Sequence, residues 1–135
     1  MEQRLMYAAS YPLHMIKVLV VDDDFDVRAL VSVWLRRTEF QLILGEDGYQ
    51  AVKLAREQEP DVILLDINLP AGKGFVVHER LKHISSLAGI PIVYISADRT
   101  AEPRAIAAGA VRFLAKPLEK ESFLSLLREV CQIAS

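Results

Sequence analysis

The sequence predicts an α/β fold, a doubly wound five-stranded parallel sheet with helices on both faces. Three observations carry this. Short, nearly continuous apolar runs of strand length recur along the chain, as expected of parallel strands buried on both sides. Between them lie stretches with apolar residues at helical spacing, and alternation of this kind builds βαβ units with right-handed crossovers. Finally, four of the runs end in a polar, reactive side chain: Asp22-Asp23-Asp24 after 18–21, Asp66 after 62–65, Ser96 after 92–95 and Lys116 after 111–115. Ligands of open α/β sheets sit outside the carboxyl ends of the strands, so these groups are expected at one rim.

The elements follow in order. Ile16–Val21 is the first strand. Residues 26–38 form an amphipathic helix, with Val27, Leu30, Val31, Trp34 and Leu35 on one side and Arg28, Arg36 and Arg37 on others. Residues 41–45 are a short strand, and Asp47-Gly48 turns the chain into a helix over 49–58 that Pro60 stops. The third strand spans 61–66. A helix over 74–84 offers Phe75, Val77, His78 and Leu81 to its inner side. The fourth strand spans 90–96, and Pro103 suits an early position of a short helix over 102–108 that ends at Gly109. Residues 111–115 are the fifth strand and 122–133 the last amphipathic helix.

Length and charge narrow the function. The 135 residues, 52% hydrophobic, suit one domain with a substantial core and leave no room for a second. Residues 1–14 read as a leader or appended arm, and 15–135 as the domain. Sixteen basic against eighteen acidic side chains lack the positive excess of a nucleic-acid binder. The apolar runs are too short to cross a membrane, and the leader, with Glu2 and Arg4, makes a poor secretory signal, so a cytoplasmic protein is expected. Cys131 is alone and reads as a small core residue. His14, His78 and His83 form no metal or phosphotransfer constellation and read as surface or partly buried residues.

Each rim residue has a functional and a plain reading. Adjacent carboxylates repel, so the 22–24 cluster needs compensation, which Mg2+ with its preference for oxygen ligands would supply; equally, one of the three caps the following helix. Asp24 fits the cap, Asp22 and Asp23 the metal. Asp66 is either a nucleophile able to form an acyl phosphate or a turn-forming Asp ahead of Asn68 and Pro70. Lys116 can neutralise a phosphoryl oxygen and Ser96 can donate to one, although a solvated lysine and a serine after a strand are commonplace.

Taken together and in order, Val20-Val21-Asp22-Asp23-Asp24, Leu64-Leu65-Asp66-Ile67-Asn68-Leu69-Pro70, Ile95-Ser96-Ala97 and Leu114-Ala115-Lys116-Pro117 resemble the receiver domain of two-component response regulators, over residues 16–133. The resemblance implies a flavodoxin-like receiver fold, with Asp66 taking a phosphoryl group from a phosphohistidine on a sensor histidine kinase or phosphotransfer protein. It implies Mg2+ held by Asp22, Asp23, Asp66 and the backbone carbonyl of Asn68. Ser96 and Lys116 would contact the phosphoryl group, and the Lys116–Pro117 bond would be cis. Phe113 stands where the family places a switching aromatic, so the version of the switch that needs a hydroxyl there is unavailable. Asn68 and Asp98 stand where phosphoryl lifetime is set.

The function expected is a phosphorylation-controlled switch of a protein-interaction surface, not an enzyme acting on a separate substrate. The output partner is unidentified, homodimer formation is left open, and the chain reads equally as a stand-alone receiver or a domain of a larger regulator. The alternative is a receiver-like interaction module that is not phosphorylated in use. A phosphatase of the aspartyl-phosphate type would want a general acid two residues after the nucleophile, where Asn68 stands, and a cap domain.

Overall fold

A computed structural model describes residues 15–69 and 73–133 of the chain. Its strands are β1 (Ile16–Val21), β2 (Phe40–Gly45), β3 (Val62–Asp66), β4 (Ile92–Ser96) and β5 (Arg112–Ala115), and its helices α1 (Phe25–Trp34), α2 (Gly48–Gln58), α3 (Gly74–Lys82), α4 (Glu102–Ala107) and α5 (Lys120–Val130). A 3-10 turn, Arg99–Ala101, leads into α4. All strands are parallel and lie in the order β2-β1-β3-β4-β5, the flavodoxin-like order that follows when right-handed crossovers first fill one side of β1 and then the other. Helices cover both faces.

The pleat divides the apolar runs between two cores. Val18 and Val20 of β1, Val62 and Leu64 of β3 and Val93 of β4 pack under α1 and α5, against Val27, Val31, Phe123 and Leu127. Their neighbours Leu19, Val21, Ile63, Leu65 and Tyr94 point the other way, under α2, α3 and α4, against Ala51, Ala55, Val77, Leu81 and Ala105. An unbroken apolar run is therefore what a strand with a helix layer on each side requires.

Several boundaries differ from the sequence expectation. The first helix stops at Trp34 instead of reaching residue 38: Arg37 takes a left-handed φ of 57°, and the Thr38 hydroxyl donates to the Leu35 carbonyl at 2.7 Å. Periodicity alone does not register such a local hydrogen bond. The fourth strand begins at Ile92 instead of 90, although the Pro91 carbonyl still accepts from Ile63 N–H at 3.0 Å. The last helix starts two residues earlier, at Lys120. Cys131 is half-buried at the end of α5, where burial and the charge of Asp61 push its thiol up to about 11, in keeping with a core role.

His78 is more deeply placed than expected, 5% exposed on the inner side of α3, with Nδ1 2.7 Å from the Tyr94 hydroxyl. Burial holds its pKa below 6.5, with the Lys82 charge acting the same way and Glu79 opposing. Between the two values the unfolded chain binds the proton and the native chain does not, so stability is full above about pH 6.5 and falls as pH drops through the folded value. Urea unfolding at pH 7, 6 and 5 should show this loss, and His78→Gln should flatten it. His83 is exposed as the residue that caps the C-terminal end of α3, and His14 lies outside the described residues.

Candidate functional site

Three of the strand ends close in the same way. Asp22 Oδ1 accepts from Asp24 N–H at 2.9 Å, Asp66 Oδ1 from Asn68 N–H at 3.1 Å, and Ser96 Oγ from Asp98 N–H at 3.0 Å. Each is a side chain folding the backbone two residues on into a turn, so the turn-forming reading of Asp66 holds in the structure alongside its place at the rim. The sheet ladder extends into these turns through Asp22 N–H to Gly45 O, Ile67 N–H to Ile95 O, and Lys116 N–H to Ser96 O at 2.8 Å. The site is thus mounted on the rigid end of the sheet.

With each Oδ1 held by its turn, both Oδ2 atoms face one cation. Lys116 Nζ lies 2.9 Å from Asp22 Oδ2 and 3.4 Å from Asp66 Oδ2. The Asp22, Asp23 and Asp66 carboxylates each place an oxygen within 4.8 Å of the others. Asp22, Asp66 and Ser96 are buried, whereas Asp23 is exposed. Asp24 stays apart from this group as the cap of α1, accepting from Asp26 N–H at 2.9 Å.

The charges do not balance among these residues. Desolvation raises the Asp22 pKa against the pull of Lys116 and the Asp24 amide, with the Asp66 charge adding to the rise. Burial alone would lower the Lys116 pKa, but its contacts with Asp22 and Asp66 overcome this and raise it. Although the ammonium is close, Asp22 Oδ2 is buried with no donor aligned to it among the described residues. Three carboxylates against one ammonium, with an under-satisfied hard oxygen, fit a divalent cation of the Mg2+ kind.

Other expected residues fall as follows. Asn68 is exposed beside Asp66. Asp98 follows Ser96, but its Oδ1 accepts from both the amide and the hydroxyl of Thr100, contacts that lower its pKa, so this oxygen caps the 3-10 turn. Phe113 is half-buried on β5, in register with Tyr94. The Lys116–Pro117 bond is cis. Pro70 lies outside the described residues. A groove of about 290 Å³ between α2 and α3, lined by Tyr49, Val52, Arg56 and Arg80 among others, includes none of these residues in its lining.

Two residues escaped the sequence reading. Arg28 on α1 donates through Nη1 to the Asp22 carbonyl at 2.9 Å and pairs through Nη2 with Glu46 at 3.0 Å. Gly74 opens α3 hard against β3: a Cβ there would stand 2.5 Å from the Asp66 carbonyl oxygen and 3.0 Å from Ile67 Cα. Neither carries a motif or a periodicity that a sequence would reveal. Because backbone is what such a Cβ would meet, Gly74→Ala should cost about 1–3 kcal/mol in chemical unfolding and displace the strand end that carries Asp66.

Comparison with known proteins gives one answer. The family model for the response regulator receiver domain matches residues 18–128. The transcriptional regulatory protein PrrA of Mycobacterium tuberculosis is 38% identical over 103 residues, covering 75% of this chain and 43% of PrrA. The chain spans about half the length of the curated relatives it matches. Among solved structures, the chemotaxis response regulator CheY4 of Vibrio cholerae superposes with a TM-score of 0.80 at 30% identity, over 86% of this chain and 98% of that one. The receiver domain of the sensor histidine kinase PA1611 of Pseudomonas aeruginosa, described with a magnesium ion coordinated in its active-site cleft, gives 0.80 at 26% identity, over 87% and 98%.

Proposed function

The chain belongs to the response regulator receiver domain family, and from that premise we propose that it is a phospho-acceptor switch with Asp66 as the acceptor. The observation that carries this reading is the placement of the Asp66 carboxylate: buried, anchored through Oδ1, and with Oδ2 turned toward Lys116 beside Asp22 and Asp23.

A carboxylate oxygen of Asp66 attacks the phosphorus of a phosphohistidine on a sensor histidine kinase or phosphotransfer protein. The new O–P bond forms as the N–P bond breaks, and the imidazole leaves and is protonated. Phosphoryl transfer of this kind is helped chiefly by positioning and by neutralising charge on the equatorial oxygens. Lys116 supplies part of that neutralisation. Asp22, Asp23 and Asp66, with the Asn68 carbonyl, would hold Mg2+, whose contribution is to screen the phosphoryl oxygens from the carboxylates.

Ser96 is the readout. Its hydroxyl oxygen accepts from Asp98 N–H, which leaves its hydrogen to donate to a phosphoryl oxygen as far as the described residues go, and such a move would change the space on the Tyr94 and Phe113 side of the sheet, biasing the surface that partners read. Asn68 and Asp98 flank the phosphoryl position and set how readily water reaches it. The output is a protein contact, to an unidentified partner or a second copy. We place the switch in the cytoplasm, where such phosphodonors act; among the described residues no helix is long and apolar enough to cross a membrane. Contact with DNA is carried in the name of one longer relative, the DNA-binding dual master transcriptional regulator RpaA of Synechocystis, and the net charge of -2 offers no basis for it here.

The test is intact mass of the full chain after incubation with acetyl phosphate. One phosphoryl adduct that forms with Mg2+ and fails to form with EDTA supports the switch. A folded chain that gains no adduct favours the alternative, an interaction module that is not phosphorylated in use.

A further inference from the structure

Arg28 sits behind the acidic cluster. Its side chain is only 16% exposed, although it carries a charge and belongs to a surface helix. One nitrogen of the fork, Nη1, donates to the Asp22 carbonyl at 2.9 Å, and Nη2 meets Glu46, just beyond β2, at 3.0 Å. The carbonyl it holds belongs to the peptide joining Asp22 to Asp23. A peptide is planar, so fixing its oxygen also fixes the amide of Asp23 and the direction in which that residue leaves the strand. The same turn is held by Asp22 N–H on Gly45 O and by Asp24 N–H on Asp22 Oδ1. Arg28 is thus the side chain from outside the turn that fixes the peptide between the two carboxylates.

We propose that Arg28 is a positioning residue for the metal centre: by clamping the Asp22–Asp23 peptide it aims the two carboxylates, and Glu46 offsets part of the guanidinium charge so that the clamp repels the incoming cation less. The inference rests on the reading of Asp22, Asp23 and Asp66 as the Mg2+ ligands. It separates two effects of opposite sign. As a nearby positive charge Arg28 disfavours a cation, so its removal would tighten Mg2+ binding, most at low salt. As a clamp it favours the cation, and its removal would weaken binding at every salt concentration. Partners that orient metal ligands from outside the coordination shell are typically worth 10–100-fold in affinity, and a guanidinium held at both ends is suited to this work.

The experiment is Mg2+ titration by calorimetry on the full chain at low and high salt, for wild type, Arg28→Gln and Glu46→Gln, with circular dichroism to confirm folding. Wild type binds if the reading of the centre is right; no binding by wild type would sink that reading itself. Given wild-type binding, Arg28→Gln should weaken it about 10-fold or more at both salt concentrations. Glu46→Gln, which keeps the Asp22 contact, should weaken it less and only at low salt. Binding by Arg28→Gln that is equal to wild type or tighter overturns the clamp and leaves the metal centre standing. If Arg28→Gln does not fold, Arg28→Lys carries the test, since it keeps the charge and loses the fork. Weakening of threefold or more then supports the clamp, and unchanged affinity overturns it.

Discussion

Asp66→Asn leaves the chain folded and reduces phosphoryl transfer from acetyl phosphate to background. The amide is nearly isosteric, and its oxygen can still accept from Asn68 N–H, so the turn that closes β3 survives. Loss of the 3.4 Å contact with Lys116 is offset by relief of repulsion from Asp22 and Asp23, which lie within 4.8 Å. What disappears is the nucleophile, because an amide does not attack phosphorus as a carboxylate does. Mg2+ affinity falls as well, since one of three carboxylates has gone. Intact mass with and without Mg2+, beside a thermal melt, checks both halves. A phosphoryl adduct on the variant equal to wild type would show that the acceptor lies elsewhere.

Lys116→Gln separates chemistry from folding. Removing one preorganised charge from a transferring group typically costs about 10²–10³ in rate, and that is the loss expected in the phosphorylation time course at saturating Mg2+. The variant also strands Asp22, fully buried and already short of a hydrogen-bond donor at Oδ2. Breaking a buried pair from one side costs about 3–5 kcal/mol when the remaining charge has no other recourse. Here it has one, because the Asp22 pKa is already raised by desolvation and rises further without Lys116, so protonation relieves the stranded charge more readily as pH falls. A group whose native pKa is raised stabilises below its unfolded value and loses that contribution as pH climbs through its native value. The melting temperature of the variant should therefore drop more at pH 8 than at pH 5. Added Mg2+ should restore much of the stability. A wild-type rate at saturating Mg2+ would mean that Lys116 serves folding alone.

How much of this was legible in the sequence varies with the cause. The strands were, because a strand buried on both faces must be apolar throughout, and Val18–Val21 and Val62–Leu65 are. The strand ends were also legible, since a carboxylate, hydroxyl or ammonium closing such a run is conspicuous, and the shared rim follows from parallel direction alone. The helix end at Trp34 was not, because Arg37 and Thr38 settle it through a left-handed φ and a single hydroxyl. Arg28 was placed only on a helix face apart from the apolar side; its contacts with the Asp22 carbonyl and Glu46 depend on how α1 leans against the ends of β1 and β2. Gly74 reads as the start of a helix, and only the packing of α3 on the Asp66 carbonyl shows why no side chain fits. His78 and Tyr94, 16 residues apart, meet only once α3 lies across β4. What the sequence hides are single contacts, at the end of an element or between elements, that leave no periodic trace.

Locating the phosphoryl group on the chain decides whether Asp66 is the acceptor. After phosphorylation with acetyl phosphate and Mg2+, borohydride reduction converts an acyl phosphate to the corresponding alcohol, and peptide mass mapping finds the altered residue. Reduction is expected at Asp66 alone, and is abolished when Mg2+ is withheld. A label on another carboxylate, or a borohydride-resistant phosphate on Ser96, would contradict it.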